Sequence, residues 1–228
     1  MATIGFDVYG TLVDPLEMNR HLRALLGGQA GPFAALWREK QLEYTFRRGL
    51  MRQYVSFDLC TAQALRYVVQ SLAADVSEAD QARLLAQYRE LPPFPDALPG
   101  ITRLKAAGHT VVAFSNGVEA TVRALLDYAG ILPALDGVIS VDDMRTFKPD
   151  PDVYVHLTRR VNQPVAETWL VSGNPFDVIG AKAVGLRAAW VRRNPDTAFD
   201  PWGIEPDCVV TNCDEFANWM AANADPSA

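Results

Sequence analysis

The stretch Ile4-Gly5-Phe6-Asp7-Val8-Tyr9-Gly10-Thr11 decides the fold predicted for this chain. An apolar run leads into a carboxylate, and a Gly-Thr turn follows. This order places Asp7 at the carboxyl end of a buried strand and Thr11 in the turn after it. Because open α/β sheets carry their chemistry at such strand ends, we expect a sheet with a reactive carboxylate at its edge.

Runs of strand length and β-branched or apolar character recur along the chain. They are Ile4–Val8, Thr110–Phe114, Gly137–Val141, Trp169–Val171, Ala188–Val191 and Cys208–Val210. From the second run onward, most are separated by amphipathic helical stretches, namely Ala97–Ala107, Glu119–Tyr128, Asp152–Val161 and Val178–Val184. Strands that alternate with helices predict the α/β class, with a parallel sheet covered on both faces.

The stretch between the first two strands breaks this alternation, because it contains only predicted helices. These are Leu16–Leu26, Phe33–Gly49, Phe57–Ala73 and Glu78–Arg89. A stiff proline-rich hinge, Pro92–Pro95, closes the stretch. We predict that residues 15–95 form a helical cap over the carboxyl ends of the strands, and that residues 1–14 and 96–228 form the core. The tail Ala224–Ala228 is predicted to be frayed.

The composition of the 228-residue chain excludes several classes of protein. The net charge of −6 gives no basic surface for nucleic acid. The N-terminus shows no signal peptide, and no apolar run approaches the ~20 residues that span a membrane. The cysteines are odd in number and share no zinc-type spacing with the histidines. We therefore expect a cytoplasmic protein whose Cys60, Cys208 and Cys213 are buried, reduced thiols.

Four polar clusters follow apolar strands or begin helices. They are Asp7 with Thr11, Ser115-Asn116-Gly117, Lys148-Pro149-Asp150-Pro151, and Ser172-Gly173-Asn174-Pro175-Phe176-Asp177. Each cluster alone is ordinary turn or helix-capping chemistry, and an acid in a first helical turn is also favoured by the helix dipole. Strand ends of a doubly wound sheet converge on one crevice, so the four clusters together predict a single site.

The order of these clusters resembles the haloacid dehalogenase superfamily and, within it, the L-2-haloacid dehalogenases. The resemblance covers essentially the whole chain, and the stretch Leu36–Thr45 is similar to the cap of that family. It implies a Rossmann-like core with an inserted all-helical cap. It also implies a homodimeric enzyme without cofactor that converts an (S)-2-haloacid to the (R)-2-hydroxyacid and a halide ion.

The resemblance also implies a separate catalytic role for each of the polar residues. Asp7 would attack C2 of the substrate, expel halide and form an ester with inversion. Asp177 would activate the water that hydrolyses the ester. Lys148 would hold Asp7 ionised and stabilise the tetrahedral intermediate. The residues that would support this network, or position Asp177, Lys148 or the water, are Tyr154, Ser172 and Asn174.

Further residues would bind the substrate. Thr11 and Ser115 would orient Asp7 and take the substrate carboxylate. An arginine held over the leaving group stabilises the charge that develops on a halide. The predicted halide-binding residues are Arg38, Asn116 and the edge of Phe176. The predicted walls of the site are Tyr9, Leu42 and Phe57.

Two positions depart from the magnesium-dependent phosphatase branch of this superfamily. Relatives in that branch carry an acid four residues before the equivalent of Asp177, and this chain has Gly173 there. An acid at position 9 would protonate an alkoxide leaving group, but this chain has Tyr9, and a halide needs no proton. Because magnesium prefers an octahedral shell of oxygen ligands, we expect no metal requirement. A magnesium-dependent phosphatase or phosphonate hydrolase, and a catalytically silent binding domain, remain the alternatives.

Overall fold

A computed structural model describes residues 1–223, and six parallel strands form one sheet within them. The strands lie in the order β3-β2-β1-β4-β5-β6. Their bounds are β1 Thr3–Phe6, β2 Thr110–Ser115, β3 Gly137–Ser140, β4 Thr168–Ser172, β5 Arg187–Val191 and β6 Cys208–Val210. The parallel sheet confirms the predicted α/β class. The predicted frayed tail, Ala224–Ala228, lies outside the described residues.

Helices cover both faces of this sheet and form the segment between β1 and β2. Their bounds are α1 Met18–Leu26, α2 Ala30–Met51, α3 Phe57–Ser71, α4 Glu78–Gln87, α5 Ala97–Ala106, α6 Glu119–Tyr128, α7 Pro151–Val161, α8 Pro175–Ala183 and α9 Cys213–Ala222. Successive strand residues pack into two separate cores, as Trp169 and Val171 lie in one and Leu170 in the other. The sheet is therefore buried on both faces, which explains its continuously apolar strands.

The strand order places the end of β1 beside the end of β4, at the point where the topology switches direction. The Asp7 amide donates to the carbonyl of Val171 at 2.9 Å, which continues the ladder one residue beyond β1. The predicted strand Ile4–Val8 is too long at this end. The chain turns there because the carbonyl of Val8 accepts hydrogen bonds from the next turn, in which Gly10 has a φ of 85°.

The helices α1 to α4 are inserted between β1 and β2, and the two connections to the core run side by side. The Asp14 amide donates to Pro92 at 3.0 Å, and the Phe94 amide donates to Leu12 at 2.9 Å. These bonds tie the entrance of the helical segment to its exit. They support the proposed division into a cap of residues 15–95 and a core of residues 1–14 and 96–228.

Two of the differences from the predicted helices concern the core. α9 was not predicted; it begins after Asn212, whose side chain caps the helix by accepting from the Glu215 amide. α8 begins at Pro175 rather than at Val178, since proline is favoured in a first helical turn. This earlier start places Asp177 inside the helix, in its first turn.

None of the helices within residues 1–223 combines the length and the apolar character needed to cross a bilayer.

Candidate active site

Asp7 receives hydrogen bonds from three side chains of the core. Thr11 Oγ1 and Asn174 Nδ2 both donate to Asp7 Oδ2 at 2.9 Å. Lys148 Nζ donates to Asp7 Oδ1 at 3.1 Å. The carboxylate is thus fixed in rotation by residues from three different strand ends, as the convergence of the polar clusters predicts.

Lys148 lies between the two acids of the site and is 1% exposed. Its ammonium donates to Asp7 Oδ1, to Asp177 Oδ2 at 2.9 Å and to the carbonyl of Phe114 at 2.8 Å. Burial alone would lower the pKa of Lys148, but the charges of Asp177 and Asp7 outweigh it and raise the pKa. Lys148 therefore carries a fixed positive charge with all three donors in use.

Asp177 is fully buried and takes one hydrogen bond on each oxygen. Lys148 Nζ donates to Oδ2, and the Tyr154 hydroxyl donates to Oδ1 at 2.8 Å. Burial raises the pKa of Asp177, which outweighs the opposing attraction of Lys148. Burial also raises the pKa of Tyr154, so its phenol keeps the proton that it donates. A carboxylate with a raised pKa is a stronger base, as proton abstraction from water requires.

The turn after β2 holds Lys148 in place. Asn116 Oδ1 accepts from the Lys148 amide at 2.9 Å. Ser115 Oγ accepts from the Gly117 amide at 3.1 Å, so its side chain closes this turn. Within residues 1–223, Ser115 is not among the hydrogen-bond donors to Asp7, so its predicted part in orienting Asp7 stays a prediction. Substrate contacts by Ser115 and Asn116 stay predictions.

Asn174 connects the nucleophile candidate to the cap. It is the N-cap residue of α8, but its side chain does not cap the helix. Nδ2 donates to Asp7 Oδ2 and to the carbonyl of Tyr9, while Oδ1 accepts from Arg38 Nη2 at 3.4 Å. Ser172 Oγ accepts from the Asn174 amide at 3.1 Å and fixes the turn. Asn174 thus contacts Asp7 itself, because its side chain points across the strand ends towards β1. Its predicted part in positioning Asp177, Lys148 or the water stays a prediction.

Arg38 brings a positive charge from the cap to this cluster. It lies on α2 and its guanidinium reaches Asn174 of the core. Its Nη1 donates to Gln41 Oε1 at 2.7 Å, one helical turn further along α2. Leu42 lies on the same face of α2, four residues after Arg38, and is half-buried. The cap arginine therefore lies one side chain away from Asp7.

Aromatic side chains from the core and the cap enclose the site. Tyr9 packs on Phe57 and on Tyr88, with ring centroids 5.5 and 5.6 Å apart. Burial raises the pKa of Tyr9 far above its usual range, so it carries no charge at neutral pH. Phe176 packs edge-on against Phe46 of α2 at 5.1 Å. These contacts pack the cap against the core near Asp7, which is buried, and they limit the access of bulk water.

Known proteins match this chain over most of its length. Residues 1–185 match the model of the haloacid dehalogenase-like hydrolase family. The (S)-2-haloacid dehalogenase of Pseudomonas putida is 35% identical over 222 residues, which cover 97% of each chain. The chain belongs to the (S)-2-haloacid dehalogenase family. This confirms the family predicted from the sequence.

Two further relatives of this dehalogenase family bear on the site. The haloacetate dehalogenase H-2 of a Moraxella species is 34% identical, over 96% of this chain and 97% of its own. The structure of the L-2-haloacid dehalogenase from Xanthobacter autotrophicus with chloropropionic acid covalently bound superposes with a TM-score of 0.91. It is 30% identical and covers 99% of this chain and 100% of its own.

Three residues of this family member were not predicted from its sequence. Gln41 and Tyr88 of the cap contact Arg38 and the core residue Tyr9, respectively, and hydrogen-bond to each other. Arg193, after β5, donates to the carbonyl of Thr11 and to Asp96, both at 2.6 Å. The position of Gln41 on the buried face of α2, one turn after Arg38, is a signal that could have identified it. Tyr88 and Arg193 are brought in by tertiary packing alone.

Gly173 is required by close packing of the backbone in this dehalogenase. A Cβ atom at this position would lie 2.3 Å from the carbonyl oxygen of Gly10. An acidic side chain therefore does not fit where the phosphatase branch carries one. Within residues 1–223, no group of three or more His, Cys, Asp or Glu side chains is arranged to hold a metal ion.

Proposed function

We propose that this chain hydrolyses (S)-2-haloacids to (R)-2-hydroxyacids and halide through an ester on Asp7. The observation that carries the proposal is a carboxylate fixed by Thr11, Asn174 and Lys148 and joined through Asn174 to the cap arginine, Arg38. A nucleophile fixed in one orientation reacts without first having to be ordered. The cation beyond it is placed to receive a departing anion.

The first step replaces the carbon–halogen bond with a carbon–oxygen bond. An oxygen of the Asp7 carboxylate attacks C2 from the side opposite the halogen, which inverts the carbon. The halide leaves with the bonding electrons and is stabilised by the guanidinium of Arg38. No proton is transferred in this step, so no acid is needed at position 9, where the chain has Tyr9.

The second step restores Asp7. Asp177 takes a proton from water, and the water oxygen bonds to the side-chain carbonyl carbon of Asp7. Lys148, within hydrogen-bond distance of both acids, stabilises the negative oxygen of the tetrahedral intermediate. Collapse of the intermediate breaks the bond between this carbon and the ester oxygen, which takes the proton held by Asp177. The second proton of the water is released to solvent, and the hydroxyacid leaves with an oxygen that came from Asp7.

Chloride release from L-2-chloropropionate tests this function and its independence of metal. We expect equal rates with and without a chelator. The Lys148 ammonium supplies the charge between Asp7 and Asp177, and Gly173 leaves no room for a further acid. Parallel assays with p-nitrophenyl phosphate and magnesium test the phosphatase alternative. Absence of chloride release would contradict the function, and its loss on chelation would contradict metal independence.

The pH dependence of turnover tests the role of Asp177. The hydrogen bond from Tyr154 favours the ionised form of Asp177 and so opposes the rise of its pKa. We expect the Tyr154→Phe variant to lose activity at a higher pH than the wild type as the solution is acidified. The kcat at the optimum should fall about tenfold. The measurement is kcat against pH for both proteins, and identical acid limbs would rule out this role.

The family resemblance supports a proposal for assembly, and the cysteines support one for location. We propose a homodimer, because Leu50 and Met51 at the end of α2 are 87% and 60% exposed and need cover. The buried, free thiols of Cys60, Cys208 and Cys213 support a cytoplasmic location. The net negative charge supports a small-molecule substrate rather than nucleic acid or membrane as the partner. Sedimentation equilibrium distinguishes the dimer from a monomer.

A further inference from the structure

We propose that Gln41 is a positioning residue for Arg38, one that fixes the guanidinium towards the leaving group without neutralising its charge. The inference rests on the proposed dehalogenation. Gln41 lies on α2 and is 1% exposed. A buried amide that makes its hydrogen bonds inside the protein is held in one orientation, and its removal leaves partners without a bond.

The hydrogen bonds of Gln41 join three helices of the cap. Oε1 accepts from Arg38 Nη1 at 2.7 Å and from the Tyr88 hydroxyl at 3.2 Å. Nε2 donates to Thr61 Oγ1 at 2.6 Å. Thr61 lies on α3, and Tyr88 directly follows α4. The amide is therefore tied to α3 and to the end of α4 as well as to Arg38 on its own helix.

The direction of the amide is set by the hydroxyl beside it. Thr61 Oγ1 donates its single proton to the carbonyl of Phe57 at 2.9 Å. Its oxygen must therefore accept from Gln41, which forces the amide nitrogen towards Thr61 and the amide oxygen towards Arg38. Because this orientation follows from the donors and acceptors, the amide cannot flip without losing bonds on both sides.

This arrangement divides the guanidinium into two edges. Nη1 is held by Gln41 in the cap, while Nη2 points to the core and reaches Asn174 Oδ1 at 3.4 Å. A distance of 3.4 Å is at the long end for a hydrogen bond, so the edge that faces the core is held weakly. Gln41 thus anchors Arg38 from behind, and the weakly held edge is the one offered to a halide.

The neutral charge of the Gln41 amide is as important for the role of Arg38 as its position. A carboxylate at position 41 would form an ion pair with Arg38 and cancel its charge. The neutral amide accepts the same hydrogen bond and leaves the full positive charge for the halide. Stabilisation that increases as charge develops on the leaving group lowers the barrier for bond breaking.

Single-turnover halide release from L-2-chloropropionate and L-2-bromopropionate tests this role in Gln41→Leu and Gln41→Glu variants. Chloride is the poorer leaving group and depends more on Arg38. We expect its release to slow about 30-fold in both variants, as loss of a hydrogen bond to a charged group would produce. Bromide release should slow several-fold less, so that the bromide-to-chloride rate ratio rises. Gln41→Glu preserves side-chain size and keeps the test valid if Gln41→Leu is unstable.

Thr45→Val is the matched control, because Thr45 is a buried residue on the same helix whose hydroxyl donates to Leu42 rather than to Arg38. Its halide ratio should equal that of the wild type. In an Arg38→Ala background, the Gln41 substitutions should have no further effect on the ratio. An unchanged ratio in the Gln41 variants, or equal slowing for both halides, would overturn the inference. Absence of halide release from the wild type would instead overturn the proposed function, and this inference with it.

Discussion

The Asp7→Asn variant should release halide at least about 10⁴-fold more slowly than the wild type and remain folded, since an amide is a far weaker nucleophile than a carboxylate. The substitution keeps the size of the side chain, and its carbonyl oxygen can still accept hydrogen bonds. Lys148 retains its partner Asp177 at 2.9 Å, so the buried ammonium is not left without an acid. The variant should therefore lose activity without unfolding.

The measurement is chloride release together with urea unfolding of both proteins. Asp143→Asn is the matched control, since Asp143 pairs with Arg160 on the surface at 3.0 Å. It should keep wild-type turnover. An Asp7→Asn variant that kept more than about one hundredth of the wild-type rate would show that another group attacks the substrate.

Heavy-oxygen water separates an ester on Asp7 from direct attack by water. In a single turnover, the labelled oxygen should enter the Asp7 side chain and not the hydroxyacid, because the product takes its new oxygen from the carboxylate. Mass spectrometry of the peptide that contains Asp7 reads the label. Label that appears first in the product would contradict the ester.

The core site could be predicted from sequence because its residues lie next to strands. Asp7, Ser172 and Asn174 follow apolar runs directly, and parallel topology brings the ends of such runs together. Lys148 lies further from a strand, after β3, and its role came from the family resemblance. Thr11 donates to Asp7 and Tyr154 donates to Asp177, while the catalytic roles predicted for these residues stay predictions.

The cap was less predictable because helical periodicity gives a buried face but not what it faces. Arg38 was predicted from a resemblance, and its approach to Asn174 depends on how α2 lies on the core. The hydrogen bonds of Gln41 depend on Thr61 and Tyr88, which lie 20 and 47 residues away along the chain. The end of β1 was misplaced for a similar reason, since the hydrogen bonds of the turn after Val8 are not visible as periodicity.

The Lys148→Met variant should lose at least about a thousandfold in turnover, because one positive charge serves both acids of the site. It should also lose about 3–5 kcal/mol of unfolding free energy near neutral pH, as happens when one partner of a buried ion pair is removed. Methionine replaces the aliphatic stem but not the ammonium. Asp7 and Asp177 then face each other without a cation between them.

The sign of the pH dependence distinguishes this effect from general damage to the core. The folded pKa of Asp177 is raised by burial, so its contribution to stability is present below the unfolded value of about 3.9 and is lost as the pH rises through the folded value. The charge of Lys148 lowers this pKa, so its removal should raise the folded pKa of Asp177 further. The loss of stability with rising pH then becomes larger and continues to higher pH. The variant should therefore become less stable relative to the wild type as the pH rises above the unfolded pKa of Asp177.

In the wild type, the ionisation of Lys148 itself should not lower the stability over this pH range. The pKa of Lys148 is raised, so its contribution is complete below the unfolded value of about 10.4 and disappears only at higher pH. Lys182→Met is the matched control: Lys182 pairs with Asp207 at 2.9 Å but is partly exposed, and its loss should cost no more than about 1 kcal/mol. A Lys148→Met variant whose stability relative to the wild type did not fall with rising pH would show that Asp177 does not depend on Lys148 for its charge.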